Sequence, residues 1–142
     1  MTPSIRVVSE PRARRTQART ELARASMISA ATPMFSENGF AATSVRDIEI
    51  AADVKRGMLV YHFGDKDTFW KAVADSVFER IVSQRKLRVS ILRDMSRREG
   101  LAMIIRFHVR IFAQYPELSR LMAQEARQKS WRIEYLVTQH IK

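Results

Sequence analysis

The chain of 142 residues contains no cysteine. That excludes a disulfide framework, a thiolate metal site and a cysteine nucleophile, and it permits a reducing compartment. Glycine and proline are scarce, at four each, which excludes collagen-like and low-complexity chains and leaves little material for hairpins. No apolar run approaches the ~20 residues of a membrane span. At the amino end Ile5, Val7 and Val8 give way to Pro11, Arg12, Ala13, Arg14 and Arg15, so the apolar core of a signal peptide is missing. A soluble, cytoplasmic protein with no membrane partner is expected. Catalytic patterns are missing too: His62, His108 and His140 fall in separate segments, and no HExxH, GxSxG or glycine-rich phosphate loop occurs. Asp65 and Asp67 resemble a carboxylate pair, but their place in the first turn of a helix explains both by capping. No enzyme activity, cofactor or metal site is expected.

Hydrophobic residues make up 46% of the chain, enough for one compact domain or two small units sharing a core. Charge is the stronger clue. Lys and Arg number 25 against 15 Asp and Glu, a net +10, which points to a polyanionic partner. The excess is clustered. Residues 1–24 hold six arginines (6, 12, 14, 15, 19 and 24) against Glu10 and Glu21, and residues 80–98 hold seven basic residues against Asp94. The remaining residues balance. The second cluster reads as a solvated face rather than a second nucleic-acid patch, because Arg80 lies about 21 Å along a helix from Lys66.

Periodicity predicts an all-α fold. Residues 1–19 carry two prolines and many arginines and read as a disordered basic arm. Leu22, Ala25, Ile28, Ala31 and Phe35 then predict a helix over about 20–38, stopped by Asn38-Gly39. Pro33 inside it predicts a kink or a shifted helix start. Ser44 and Asp47 form a capping box opening a short helix over 45–52, with Ile48, Ala51 and Ala52 inward. Asp53 is the expected left-handed residue of the turn that follows. A third helix over about 56–63 turns Leu59 and Phe63 inward. Asp65 caps a long fourth helix, to about residue 88, through Trp70, Val73, Val77 and Ile81. Ser96 to Glu99 form another capping box, opening a fifth helix with Leu101, Ile104, Ile105, His108 and Phe112 as its apolar positions. Tyr115-Pro116 ends it and starts a sixth with Leu118, Leu121 and Met122. Residues 131–141, with Ile133, Leu136, Val137 and Ile141, read as a seventh.

Two short helices joined by a tight turn at residues 44–63 form a helix-turn-helix, whose second helix lies in the major groove in such units. Phe35, Asn38-Gly39-Phe40, Thr43 to Ile48, Gly57, Leu59, Tyr61-His62-Phe63 and Lys66 resemble the amino-terminal domain of the TetR family of transcriptional regulators. The resemblance covers about residues 22–73, and the helices beyond it resemble that family's regulatory domain more loosely. It implies a disordered arm (1–19), a three-helix DNA-binding domain (20–66) and a helical regulatory and dimerisation domain (67–142). It also implies a homodimeric repressor that binds double-stranded DNA at a palindromic operator and releases it on binding a small-molecule effector. The chain departs from the family in three ways. Asp53 stands where Gly is favoured and Lys55 where a capping Ser or Thr is favoured. Val60 replaces a Tyr often aimed at phosphate. Two further long helices that usually make the family's dimer interface are absent, so the regulatory bundle is expected to be incomplete, the chain being either truncated or dimeric through another surface.

The DNA-contact candidates are Ser44, Val45, Arg46, Lys55, Arg56, Met58, Tyr61, His62 and Lys66. Arg46, Lys55 and Arg56 suit guanine edges or phosphates; the alternatives are a solvated or ion-paired Arg46 and a pairing of Lys55 or Arg56 with Asp53. Met58 suits a thymine methyl or space against the first helix. Tyr61 and His62 suit phosphates, His62 alternatively a helix-end cap. Lys66, at the start of the fourth helix, suits a phosphate. The arm arginines supply nonspecific attraction. Phe78, Phe107, His108, Phe112 and Trp131 are effector-pocket candidates, with core packing as the alternative. Two rival functions stay open: a truncated ligand-binding or interaction protein, and a nonspecific nucleic-acid binder.

Overall fold

The computed structural model describes residues 10–92 and 95–141, with side chains for 12–81 and 95–141. Its elements are α1 (Glu10–Ala42), α2 (Val45–Ala51), α3 (Met58–Phe63), α4 (Lys66–Leu92), α5 (Arg97–Gln114), α6 (Pro116–Arg127) and α7 (Trp131–Leu136). A π-helical turn, Val137–Ile141, extends α7. No strand occurs among the described residues, and no described helix is long and apolar enough to cross a membrane.

Helix α1 begins ten residues before its expected start. Residues 10–19, expected as part of a disordered arm, continue the helix, and residues 1–9 lie outside the described residues. The local reason is composition: Pro11 sits in the first turn, where its missing amide costs no bond, and Arg, Ala and Gln are good helix formers. The hydroxyls of Thr16 and Thr20 donate to the carbonyls of Arg12 and Thr16 at 3.0 and 3.1 Å. Side chains 12–19 are all exposed, so this extension buries little against the core.

The interruption expected at Pro33 falls instead at Gly39. Dihedral angles stay helical through Pro33, because Ala31 and Phe35 on either side of it are locked into the core. Gly39 takes φ 80°, ψ 174°, a region that glycine alone enters without strain. Thr43 is buried beneath this break, its hydroxyl 2.8 Å from the Gly39 carbonyl and 3.2 Å from that of Met34.

One buried cluster runs through the molecule. Met27, Ala31 and Phe35 of α1 meet Ile48 of α2, Leu59 and Phe63 of α3, and Phe69, Trp70, Val73 and Val77 of α4. It continues without a gap into Ile111, Leu118, Leu121 and Leu136. Ser96 and Glu99 form the expected reciprocal capping box of α5, and Pro116 opens α6.

Helix α5 presents a different stripe to the core than its sequence suggests. Leu101, Ile104, Ile105, His108 and Phe112 are exposed, whereas Ile111 is buried and Met103 and Phe107 are half-buried. Two apolar stripes lie side by side on this helix, and the 103/107/111 one faces the core through Phe107 and Ile111. In α7, Leu136 is fully buried as expected, and Arg132 joins it at 7% exposure. Its Nε donates to Glu125 Oε2 at 2.8 Å, and its guanidinium lies 4.3 Å from the Phe40 ring centroid. The basic cluster at 80–98 falls largely outside the described side chains. Within it, Arg80 stands 3.9 Å from Glu117.

Candidate nucleic-acid interface

Ser44 caps α2, its Oγ accepting from the Asp47 amide at 3.0 Å. The return bond differs from the one expected. The Ser44 hydroxyl donates to Asp47 Oδ2 at 2.6 Å, so the carboxylate closes the motif on the side chain rather than on the Ser44 amide. Val45, Ile48, Glu49 and Ala52 form the inward arc of this helix. Ala51, expected inward, is exposed.

The turn is built around Asp53, the one described residue other than glycine with positive φ, at 53°. Its amide donates to the Ile50 carbonyl at 3.1 Å, and that of Val54 to the Glu49 carbonyl at 3.0 Å. Helix α3 starts at Met58, two residues later than expected, because Gly57 is left-handed at φ 88°. Lys55 and Arg56 therefore belong to the turn.

Glu49 is the feature that sequence reasoning missed. It is 2% exposed, and its Oε1 accepts from the amides of Gly57 at 2.8 Å and Leu59 at 3.1 Å. Its Oε2 lies 3.7 Å from Arg46 Nη1. The available signal was spacing, since Val45, Ile48, Glu49 and Ala52 follow the i, i+3, i+4, i+7 pattern of one helix face. Two ties from α1 were also missed. Ser26 Oγ donates to the Ala52 carbonyl at 2.9 Å, and Arg24 Nη1 to the His62 carbonyl at 2.7 Å. Each satisfies a carbonyl at the carboxyl end of a short helix, where no intrahelical donor exists. Arg24 also covers the Phe63 ring at 4.2 Å.

The nine DNA-contact candidates divide by exposure. Ser44, Arg46, Lys55, Arg56 and Tyr61 are exposed, Tyr61 at 80%. Val45 and Met58 are half-buried and pack against the core. His62 is half-buried, its ring edge-on to Tyr61, and its Nε2 is buried without a hydrogen-bond partner among the described residues. Lys66 turns inward: its Nζ donates to the Phe40 carbonyl at 2.6 Å and lies 4.2 Å from the Phe40 ring centroid. Burial, and then the charge of Arg132, hold its pKa below the usual lysine range. Asp65 caps α4 by accepting from the Thr68 amide at 2.7 Å, and that bond holds its carboxyl below the usual carboxylate range.

The five effector candidates do not meet in one place. Phe78 is buried and stacks on His140 at 4.3 Å. Trp131 packs edge-on to Trp70 and Phe40. His108 and Phe112 face outward, His108 Nδ1 lying 2.8 Å from the Ile104 carbonyl. Phe107 borders a cleft of about 360 Å³ with Met95, Met103, Arg106 and Arg110. A second cleft of about 230 Å³, between α1, α4 and α6, contains none of the five.

Residues 27–73 match the family described as bacterial regulatory proteins, tetR family. The HTH-type transcriptional repressor Rv3405c of Mycobacterium tuberculosis is 47% identical over 51 residues, 36% of this chain and 27% of that protein. The HTH-type transcriptional repressor KstR2 of the same organism is 31% identical over 110 residues, 71% of this chain and 54% of that protein. The chain thus spans at most about half the length of these relatives. Among solved structures, a crystal structure of the HlyIIR mutant protein, carrying a linker with two thrombin sites, superposes with a TM-score of 0.66. It shares 21% identity, covering 86% of this chain and 64% of that one, and shows the same fold.

Proposed function

The chain belongs to the TetR family of bacterial regulatory proteins, and from that premise we propose that it is a DNA-binding transcriptional regulator, a repressor rather than an enzyme. The observation that carries this reading is the α2-turn-α3 unit. Its inner faces are sealed into the core while Arg46, Lys55, Arg56 and Tyr61 stay exposed around it. Guanidinium and ammonium groups so placed suit guanine edges and phosphates, and Tyr61 suits a phosphate. Ser44 offers its helix start to the backbone. Val45, Met58 and His62 set the shape of the unit from beneath, and Lys66 fixes the start of α4 through Phe40. The exposed arginines at 12, 14, 15 and 19 add sequence-independent attraction along a helical rod.

In this proposal two copies read a palindrome, with half-sites about 34–36 Å apart. The uncovered apolar stripe of α5 (Leu101, Ile105, Val109 and Phe112) is the surface available to the second copy. Release by a small effector enters on the family likeness.

The experiment starts with a duplex enriched by the full chain from a randomised library, with affinity followed by fluorescence anisotropy. Arg46→Ala and Arg56→Ala each lower affinity for it by about 1–3 kcal/mol while preserving the helical circular dichroism. Unchanged binding by both variants refutes the placement. If deleting residues 1–19 abolishes sequence preference, the chain is a nonspecific binder instead.

A further inference from the structure

We infer that Glu49 is the positioning residue of the recognition helix, its carboxylate reaching across from α2 to supply the cap that the sequence before α3 does not. The inference deepens the DNA-binding reading and rests on α3 being the groove-facing helix. A helix leaves its first amides without intrahelical acceptors, and a side chain just before it ordinarily accepts from one of them. Here the residues just before α3 are Lys55, Arg56 and Gly57, which have no side-chain acceptor among them, and α3 has no side-chain cap of its own.

Glu49 fills the gap from outside the segment. One oxygen, Oε1, accepts from both Gly57 and Leu59 at 2.8 and 3.1 Å. The main-chain carbonyl of the same residue takes the Val54 amide at 3.0 Å. A single residue therefore holds the turn where it leaves α2 and where it enters α3. At 2% exposure this carboxylate depends on the donors around it, the Gly57 and Leu59 amides. Arg46 adds a looser countercharge, 3.7 Å from Oε2 and itself exposed on the side proposed to meet DNA, so its removal leaves both amide bonds in place. Glu49 thus fixes the angle of α3 against α2 and ties Arg46 to the same anchor. The basic residue at 55 is tolerated because the cap comes from elsewhere.

The test uses the full chain and two readouts. Amide exchange followed by NMR needs no DNA: Glu49→Ala speeds exchange at Gly57 and Leu59 about tenfold while the α4 amides of Trp70 and Val73 keep their protection. Anisotropy on the enriched duplex and on a scrambled one gives the second. Glu49→Ala weakens the enriched duplex about three- to thirtyfold, the range of a lost helix cap, and the scrambled duplex less than twofold. Lys55→Ser in the Glu49→Ala background restores a local acceptor, and with it the amide protection and the preference for the enriched duplex. Glu49→Gln retains an oxygen acceptor and the side-chain shape, so it keeps the fold and lies between the two. Unchanged exchange at Gly57 and Leu59 overturns the inference. So does an equal loss on both duplexes that Lys55→Ser leaves unrepaired, which marks a merely structural carboxylate. If the native chain enriches no duplex, the DNA-binding reading fails, and the exchange data still decide whether Glu49 caps α3.

Discussion

Replacing Arg132 by Ala strands a carboxylate. Glu125 is 1% exposed, and the Arg132 Nε bond at 2.8 Å is its principal partner; the Ser130 hydroxyl stands farther off at 3.3 Å. Removing one member of a buried pair costs about 3–5 kcal/mol, because the survivor keeps its desolvation penalty. The same substitution takes a guanidinium off the Phe40 ring, worth about 0.5–2 kcal/mol more. Against a typical domain stability of about 5–15 kcal/mol the loss is large, and Tm falls by about 10–20 °C. Trp70 and Trp131 pack edge-on at 5.6 Å, so urea titration followed by tryptophan fluorescence reports on the affected region. The double variant Glu125→Leu/Arg132→Met removes both charges and keeps much of the volume, and it recovers most of the lost stability. A loss below about 1 kcal/mol in Arg132→Ala, or a double variant as unstable as the single one, refutes the reasoning.

Lys66→Met lowers stability by about 1–2 kcal/mol through the lost Phe40 hydrogen bond and ring contact. It leaves the salt dependence of DNA binding unchanged; a slope smaller by about one unit shows instead that Lys66 neutralises a phosphate. Tyr135 donates to both oxygens of Asp75 at 2.9 and 3.0 Å, and burial followed by this carboxylate pushes its pKa up to about 12. Because the folded state holds the proton more tightly, the contribution is complete below the unfolded value near 10 and is lost as pH rises toward 12. Ultraviolet titration of the phenols shows a late-ionising component that Tyr135→Phe removes. Stability falls between pH 10 and 12 more steeply in the native chain than in this variant.

What the sequence determined by itself is what neighbours within four residues decide. The caps at Ser44, Asp65 and Ser96, the stop at Asn38-Gly39, the left-handed Asp53 and the inward pair Leu59 and Phe63 are all consequences of local bonding and periodicity. The helix-turn-helix and the family likeness rest on the same local order, which is why they were legible. Tertiary structure decided whatever depends on residues far apart in the chain. Two apolar stripes lie on α5, and the tertiary fold chooses 107 and 111 over 104, 108 and 112. Lys66 turns inward because Phe40, 26 residues away, offers both a carbonyl and a ring. Glu49 looks like a solvated charge on a short helix until the chain folds back and brings the Gly57 and Leu59 amides to it. A buried charge is permitted by the donors that surround it, and sequence order does not show which donors will arrive.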